Sequence, residues 1–387
     1  MTENGKNEID TGLDEWTCNS NECFNIALVS TQNVKKIVPF KPYFTYPFFG
    51  QTETIVGYKN LNINLYYSSA ALSTYLSINY TDKHPEYCQD IYQQLYEEDK
   101  IPRKNIIENF DTFCSTVEKD EKNFAPFGKK FHEYRLKADN EDTCYELYNC
   151  SFNTKGFKEY NQALQTFLLF YIEGSNFLDP NDTLWEFVLL YEKKKTSEGY
   201  HIYSTVGFVS FYPFFYYPDQ QRIRISQFLI LPVYQNKGHG ALLYKKLFED
   251  FLIRKDVAEV TVEEPNDTFQ ELRDKLDCRM LLPLFNKLVK LNESLLPLDD
   301  DFLLKIQKKF KLSKKQARRC TEILLLKCLQ DSKNLDQIDK FRLFVKRRIY
   351  FVNKDCLHDM DKEERIAKIQ EVYLNLKDDY EEIIHKL

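Results

Sequence analysis

Arg222-Ile-Arg-Ile-Ser-Gln-Phe-Leu-Ile-Leu-Pro-Val-Tyr-Gln-Asn-Lys-Gly-His-Gly-Ala-Leu-Leu-Tyr-Lys-Lys-Leu-Phe248 runs from a strand pattern through a glycine turn into a helix pattern. Ile223, Ile225, Leu229 and Leu231 recur in twos among branched and aromatic residues, as a strand requires. Pro232 lacks the donor needed to continue a ladder. Gln235 to Gly240 reads Gln-x-x-Gly-x-Gly, and Leu243, Leu247 and Phe251 follow at helical spacing. Glycines let backbone N–H groups approach an anion without a Cβ in the way, and a helix N-terminus adds free donors and partial positive charge. The stretch therefore predicts a diphosphate-binding strand–turn–helix that needs neither a lysine clamp nor a metal.

A dinucleotide site would read Gly-x-Gly-x-x-Gly after a first strand, with an acid about 20 residues on. A nucleotide P-loop would read Gly-x-x-x-x-Gly-Lys-Ser/Thr. Neither order of glycines is present. The turn resembles instead the acetyl-CoA motif of the GNAT N-acetyltransferases, Arg/Gln-x-x-Gly-x-Gly/Ala. The resemblance narrows with Ser226-Gln-Phe-Leu-Ile-Leu, Gln235-x-x-Gly-His-Gly-Ala241 and Val262-Glu-Glu-Pro-Asn266, which are similar to the type B histone acetyltransferases. Gln165-Thr-Phe-Leu, Phe177-Leu-Asp, Thr205-Val-Gly, Tyr217-Pro-Asp and Leu272-Arg-Asp fit that family in its order. Phe49-Gly and Gly57-Tyr-Lys fit its N-terminal domain, and Gln316-Ala-Arg-Arg with Glu322-Ile-Leu fits its helical tail.

Length and composition agree with an enzyme of several units. A chain of 387 residues exceeds what one core organises, and 43% apolar with 15% aromatic residues is ample for packed cores. A net charge of −6 argues against a general nucleic-acid surface and suits a basic partner such as a histone tail. The polar start, Met1-Thr-Glu-Asn-Gly-Lys-Asn-Glu8, is unlike a signal peptide, and no apolar run nears the ~20 residues of a bilayer span. Ten cysteines without Cys-x-x-Cys pairs and six scattered histidines are expected to be reduced thiols and ordinary side chains, with no metal site.

Three regions are expected: a mixed α/β N-terminal domain over 1–130, a GNAT acetyltransferase domain over 131–276 and a helical domain over 277–387. Strand-like runs occur at Phe24–Val29, Thr54–Tyr58 and Asn62–Tyr67. A helix from Phe157 carries one apolar stripe of Tyr160, Leu164, Phe167, Leu168 and Tyr171. Strands follow near 186–191, 202–212, 222–231 and 259–263, the last two joined by a right-handed helical crossover and so parallel. In the tail, Ser313-x-x-Gln316 reads as a capping box. Lys346-Arg-Arg348 reads as an exposed helix face or a basic signal, and the segment from Asp361 as a bundle helix or a partner-binding one.

A lysine ε-amine of pKa about 10.4 is neutral in only about one molecule in a thousand near pH 7, so direct attack on a thioester needs a base. Glu263 and Glu264 close the strand expected beside the diphosphate strand. The family resemblance puts the base at Glu263 and leaves Glu173 and Glu264 as further candidates. No cysteine falls in the turn or beside Glu263, which disfavours a covalent acetyl-enzyme.

The resemblance implies acetyl-CoA as co-substrate. Its expected contacts are Phe228, Leu229 and Ile230 along the pantetheine arm, Gln235, Asn236, Lys237, Gly238, His239, Gly240 and Ala241 around the diphosphate, and Asn266 and Lys275 beyond. Tyr212, Pro213 and Phe214 are expected to wall the stem of the substrate lysine, and Gln51, Thr52 and Glu53 to touch the peptide. It also implies the tail of the fourth core histone before deposition, a WD-repeat propeller chaperone as partner, and both cytoplasm and nucleus. Two other readings stay open: a GNAT enzyme for another amine (a protein N-terminus or a polyamine), and a non-catalytic acyl-CoA-binding histone chaperone module.

Overall fold

A computed structural model describes residues 14–138, 141–290, 300–332 and 335–387. The chain begins with β1 (Thr17–Asn19), α1 (Ser20–Cys23), β2 (Phe24–Val29), α2 (Tyr46–Phe49), β3 (Thr54–Val56), β4 (Tyr58–Lys59), β5 (Asn62–Ser68), β6 (Thr74–Asn79) and β7 (Asp82–Lys83). Then come α3 (Ile91–Tyr96), β8 (Ile106–Ile107), α4 (Phe110–Asn123), β9 (Lys129–Ala138), β10 (Glu141–Ser151) and α5 (Phe157–Tyr171). The central elements are β11 (Glu186–Lys195), β12 (His201–Tyr216), β13 (Gln220–Ile230), α6 (His239–Ile253) and β14 (Val257–Val262). The tail is α7 (Asp267–Lys290), α8 (Asp300–Phe310), α9 (Lys314–Ser332), α10 (Leu335–Val352), α11 (Lys354–His358) and α12 (Lys362–His385). No described helix is long and apolar enough to cross a membrane.

A six-stranded sheet has the order β14-β13-β12-β11-β10-β9, and a four-stranded sheet the order β2-β5-β6-β8. β13 and β14 are parallel, as the crossover through α6 demands. By packing, the chain forms two units: Met1–Phe211 with Gln227–His239, and Tyr212–Ser226 with Gly240–Leu387. In the first unit, residues on both sides of 130 share one core. Helix α5 is its centre. It buries eleven of its fifteen residues, the polar Asn161, Gln165 and Thr166 among them, so it is buried nearly all round rather than along the single apolar stripe expected. Phe170 lies 5.4 Å from Phe24 of β2, Phe167 lies 4.4 Å from Tyr67 of β5, and Phe157 lies 4.8 Å from Phe187 of β11 (ring centroids). One helix thus packs on both sheets of the first unit.

Two devices, one polar and one steric, position β13 in that core. Gln165 of α5 and Gln227 of β13 exchange amide hydrogen bonds of 3.1 and 3.3 Å, and Gln227 also takes the Ser210 hydroxyl at 3.0 Å and donates to Asn176 O at 3.2 Å. A fully satisfied buried amide pair fixes register where an apolar contact would let the strand slide. At Gly207 of β12, a Cβ would stand 2.4 Å from Leu229 O, so only glycine lets these strands approach.

In the second unit the helices are tied by buried charge. Asp274 accepts from Arg319 at 2.6 Å and Gln316 at 2.9 Å, and Asp277 accepts from Gln316 at 3.0 Å and from the Tyr244 hydroxyl at 3.0 Å. Gln316 therefore turns inward. Ser313 Oγ does accept the Gln316 N–H at 3.2 Å, so the capping box is only half formed. The triplet Lys346–Arg348 is not an exposed basic face either. Arg348 forms a two-pronged pair with fully buried Glu322 at 2.7 and 2.8 Å, Tyr380 of α12 donates to the same carboxylate at 2.8 Å, and Lys346 donates to Gln370. Helix α12 is capped by Asp361 and buries Tyr373, Tyr380 and Ile383, while Ile366 stays exposed.

Candidate active site

After β13 the chain makes a short 3-10 turn at Pro232–Tyr234 and reaches α6 through Gln235–Gly238. Asn236 and Gly238 both have left-handed backbones, φ 59° and 87°. Such turns aim successive N–H groups into one concavity, and the first turn of α6 adds donors that no helical carbonyl can take. A Cβ at Gly238 would meet nothing within 4 Å, so the surface over the turn is open. An open turn with two left-handed residues leading into a helix N-terminus is suited to an anion.

The turn's side chains mostly brace it. Gln235 donates to Ile230 O at 2.8 Å and accepts from Tyr43 OH at 2.8 Å, tying the turn to the end of β13. Lys237 donates to Val233 O at 2.8 Å. His239 is 2% exposed, with Nδ1 2.9 Å from Tyr134 OH and its ring 4.5 Å from that of Tyr145. Its side chain is a packing group beneath the turn, and only its backbone N–H remains for an anion. Tyr43, Tyr134 and Tyr145 carry no motif and were not legible as parts of the site.

Burial, then the Lys237 charge, lowers the His239 pKa from 6.5 to about 4. Between pH 6.5 and 4 the unfolded chain therefore binds a proton that the folded chain refuses. Stability is full above pH 6.5 and falls as pH drops towards 4, by up to about 3 kcal/mol. Chemical denaturation of the parent and His239→Phe across this range should show that slope in the parent and a shallower one in the variant. Equal slopes would remove His239 from the account.

In the second unit, the ladder of β13 with β14 pairs Arg222 with Glu259, Arg224 with Thr261 and Ile225 with Val262. It ends with Glu263 N donating to Ile225 O at 2.9 Å, while β13 continues to Ile230. Glu263 follows the last strand residue. Its carboxylate is half exposed, accepts the Ser226 hydroxyl on Oε2 at 2.6 Å and lies 3.9 Å from Arg224 on Oε1. The Arg224 guanidinium sits 4.5 Å from the Phe214 ring centroid, and Phe214 lies 4.9 Å from Tyr212. Glu263, Ser226, Arg224, Phe214 and Tyr212 thus form one continuous array. In the aromatic segment, Pro213 to Tyr216 extend β12, and Phe215 and Tyr217 are 75% and 83% exposed.

The other candidates are placed less suggestively. Glu264, beyond β14, has a left-handed backbone at φ 33° and is exposed. Glu173 is exposed in the turn after α5, with no side-chain partner among the described residues. Asn266 accepts the Phe269 N–H at 2.9 Å and so caps α7, and Lys275 is half-buried on that helix. Phe228 is half-buried, and Leu229 and Ile230 are buried on β13. Gln51 and Thr52 are exposed, but Glu53 is internally engaged: its carboxylate accepts from Thr45 N, Tyr46 N and the Asn21 amide at 2.5, 3.1 and 2.7 Å. It holds the start of α2 and has little left for a peptide. All ten cysteines are free thiols. Glu133, Cys144 and Glu146 lie within metal-ligand reach of one another, but Lys130 and Lys193 already satisfy Glu146 at 3.1 and 2.9 Å.

Comparison with known proteins fits this geometry. A family model described as histone acetyl transferase HAT1 N-terminus matches residues 16–173, and one described as acetyltransferase (GNAT) family matches residues 142–273. The two overlap on β10 and α5, the helix that both sheets of the first unit share. A histone acetyltransferase type B catalytic subunit of Cryptococcus neoformans var. neoformans serotype D is 35% identical over 96% of this chain and 98% of its own. Proteins of the same description from Rattus norvegicus and Homo sapiens are each 33% identical over 95% of this chain and 88% of their own. The chain is an acetyltransferase of the GNAT superfamily, whose members use acetyl-CoA. With such likeness along nearly its whole length, it belongs to the family of histone acetyltransferase type B catalytic subunits.

Proposed function

We propose that this enzyme acetylates lysine ε-amines in the amino-terminal tail of free, newly made histone, chiefly the fourth core histone, by direct attack with Glu263 as general base. The observation that carries the reading is the anchored Glu263 carboxylate in one array with Phe214 and Tyr212. Aromatic faces suit the methylene stem of a lysine, and a carboxylate at the end of that wall suits its amine. Acetyl-CoA supplies the acetyl thioester. Backbone N–H groups of Asn236 to Ala241 would hold its diphosphate, and β13 from Phe228 to Ile230 would lie along its pantetheine arm. Glu263 takes the proton that turns the ammonium into a nucleophilic amine; the nitrogen then bonds the acetyl carbon, the C–S bond breaks with its electron pair going to sulfur, and the second proton shed by nitrogen goes to that sulfur.

Relatives named for histone acetylation and a chain charge of −6 support a basic substrate freed from DNA. The test is acetyl-CoA turnover on free histone, on intact nucleosomes, on an unblocked N-terminal peptide without lysine, and on spermidine. Fast turnover on free histone with poor turnover on nucleosomes is expected. Comparable rates on nucleosomes would overturn the free-histone reading. Preference for spermidine or the N-terminal amine would assign a different substrate, and no turnover on any amine would leave a binding module.

A further inference from the structure

Glu263 stands one residue past the last paired residue of β14, and Ser226 one residue past its counterpart on β13. The parallel ladder places their side chains as neighbours on the face that carries Arg222 with Glu259 and Arg224 with Thr261. Where the backbone ladder stops, a side-chain bond replaces the next rung: Ser226 Oγ donates to Glu263 Oε2 at 2.6 Å. That length is usual for a hydroxyl on a carboxylate. A half-exposed glutamate without such a partner samples broad terminal torsions and loses much side-chain entropy when it must be fixed. Here the residue is fixed twice, through its N–H on Ile225 O and through Oε2 on Ser226. Oε1 is left over. Its charged neighbour, Arg224 at 3.9 Å, is too far to hydrogen-bond and is stacked on Phe214.

We propose that Ser226 is a positioning residue for acetyl transfer: its hydroxyl holds one oxygen of Glu263 so that the other faces the substrate amine. The proposal rests on Glu263 being the base. Ser226 itself exchanges no proton with the substrate.

The experiment is steady-state kinetics of the full chain with a free histone-tail peptide and acetyl-CoA. Ser226→Ala should lower kcat by about tenfold or more while leaving both KM values near parental, since an aim is lost and not a binding contact. Ser226→Thr keeps the hydroxyl, suits a strand and should restore most of kcat. In a Glu263→Gln background, Ser226→Ala should cost nothing further. Parental kcat in Ser226→Ala, a Ser226→Thr enzyme as slow as Ser226→Ala, or the full loss repeated in the Glu263→Gln background would each overturn positioning while leaving the base in place. A Glu263→Gln enzyme as fast as the parent would instead remove the base, and the proposal with it.

Discussion

Glu263→Gln should lower kcat on a free histone-tail peptide by about 10²–10⁴ at neutral pH, the range for losing a general base. The change conserves size, and the amide oxygen can still accept the Ser226 hydroxyl that the carboxylate accepts at 2.6 Å. What disappears is basicity and a long, exposed pair with Arg224 at 3.9 Å. Such pairs are worth about 0–1 kcal/mol, so the melting temperature should scarcely move. Acetyl-CoA affinity should also survive, because the diphosphate turn begins at Gln235 and does not include this residue. The rate deficit should narrow as pH rises towards 10, where more of the substrate amine arrives already neutral. A variant within about threefold of the parent at neutral pH would lie far below the general-base range. The role would then pass to Glu173 or Glu264, and the same substitution at each would decide. Neither is braced as Glu263 is: the Glu173 carboxylate has no described partner, and Glu264 sits on a left-handed backbone at φ 33°.

The centre of the fold was legible because its signals are local. Alternating apolar residues make β13, Gly238 and the second glycine at the start of α6 mark the turn, and helical spacing makes α6; parallel β14 then follows from chain handedness. The β9–β10 hairpin was not legible. Lys129-Lys-Phe-His-Glu-Tyr-Arg-Leu-Lys-Ala138 is half charged, and its strand character comes from pairing across the ladder rather than from its own composition. Helix α5 was found but read as one-sided, because a stripe pattern cannot tell a surface helix from one lying between two sheets.

The same limit applies to side chains. The family resemblance put Gln235, His239, Asn266 and Glu53 near chemistry, yet three-dimensional packing turns each towards the chain itself. Gln235 bonds Ile230 O and Tyr43, His239 lies under the turn, Asn266 caps a helix, and Glu53 holds three donors. Ser226 and Arg224 stood within the most informative stretch of the sequence, but their relation to Glu263 is a matter of register between two strands. Register depends on where β14 begins, and no sequence pattern fixes that to one residue.

Gly240→Asp should weaken acetyl-CoA binding by about tenfold to a hundredfold, or ~1.4–2.8 kcal/mol, while leaving the fold at least as stable. The two effects have opposite signs for one physical reason. Gly240 is the second residue of α6, where backbone N–H groups lack helical acceptors and carry the positive end of the helix dipole. An aspartate in a first turn is favourable to the helix by about 0.3–1 kcal/mol, and replacing a helical glycine removes backbone entropy cost. The same carboxylate competes with a diphosphate for those donors and repels it at short range. Calorimetric titration with acetyl-CoA and thermal unfolding of the unliganded variant read the two terms separately. Weaker binding with an unchanged or raised melting temperature places the diphosphate on this helix N-terminus. Weaker binding with a lowered melting temperature would mean only a damaged turn. Undiminished affinity in a folded variant would mean that the diphosphate lies elsewhere, whatever the spacing of the glycines.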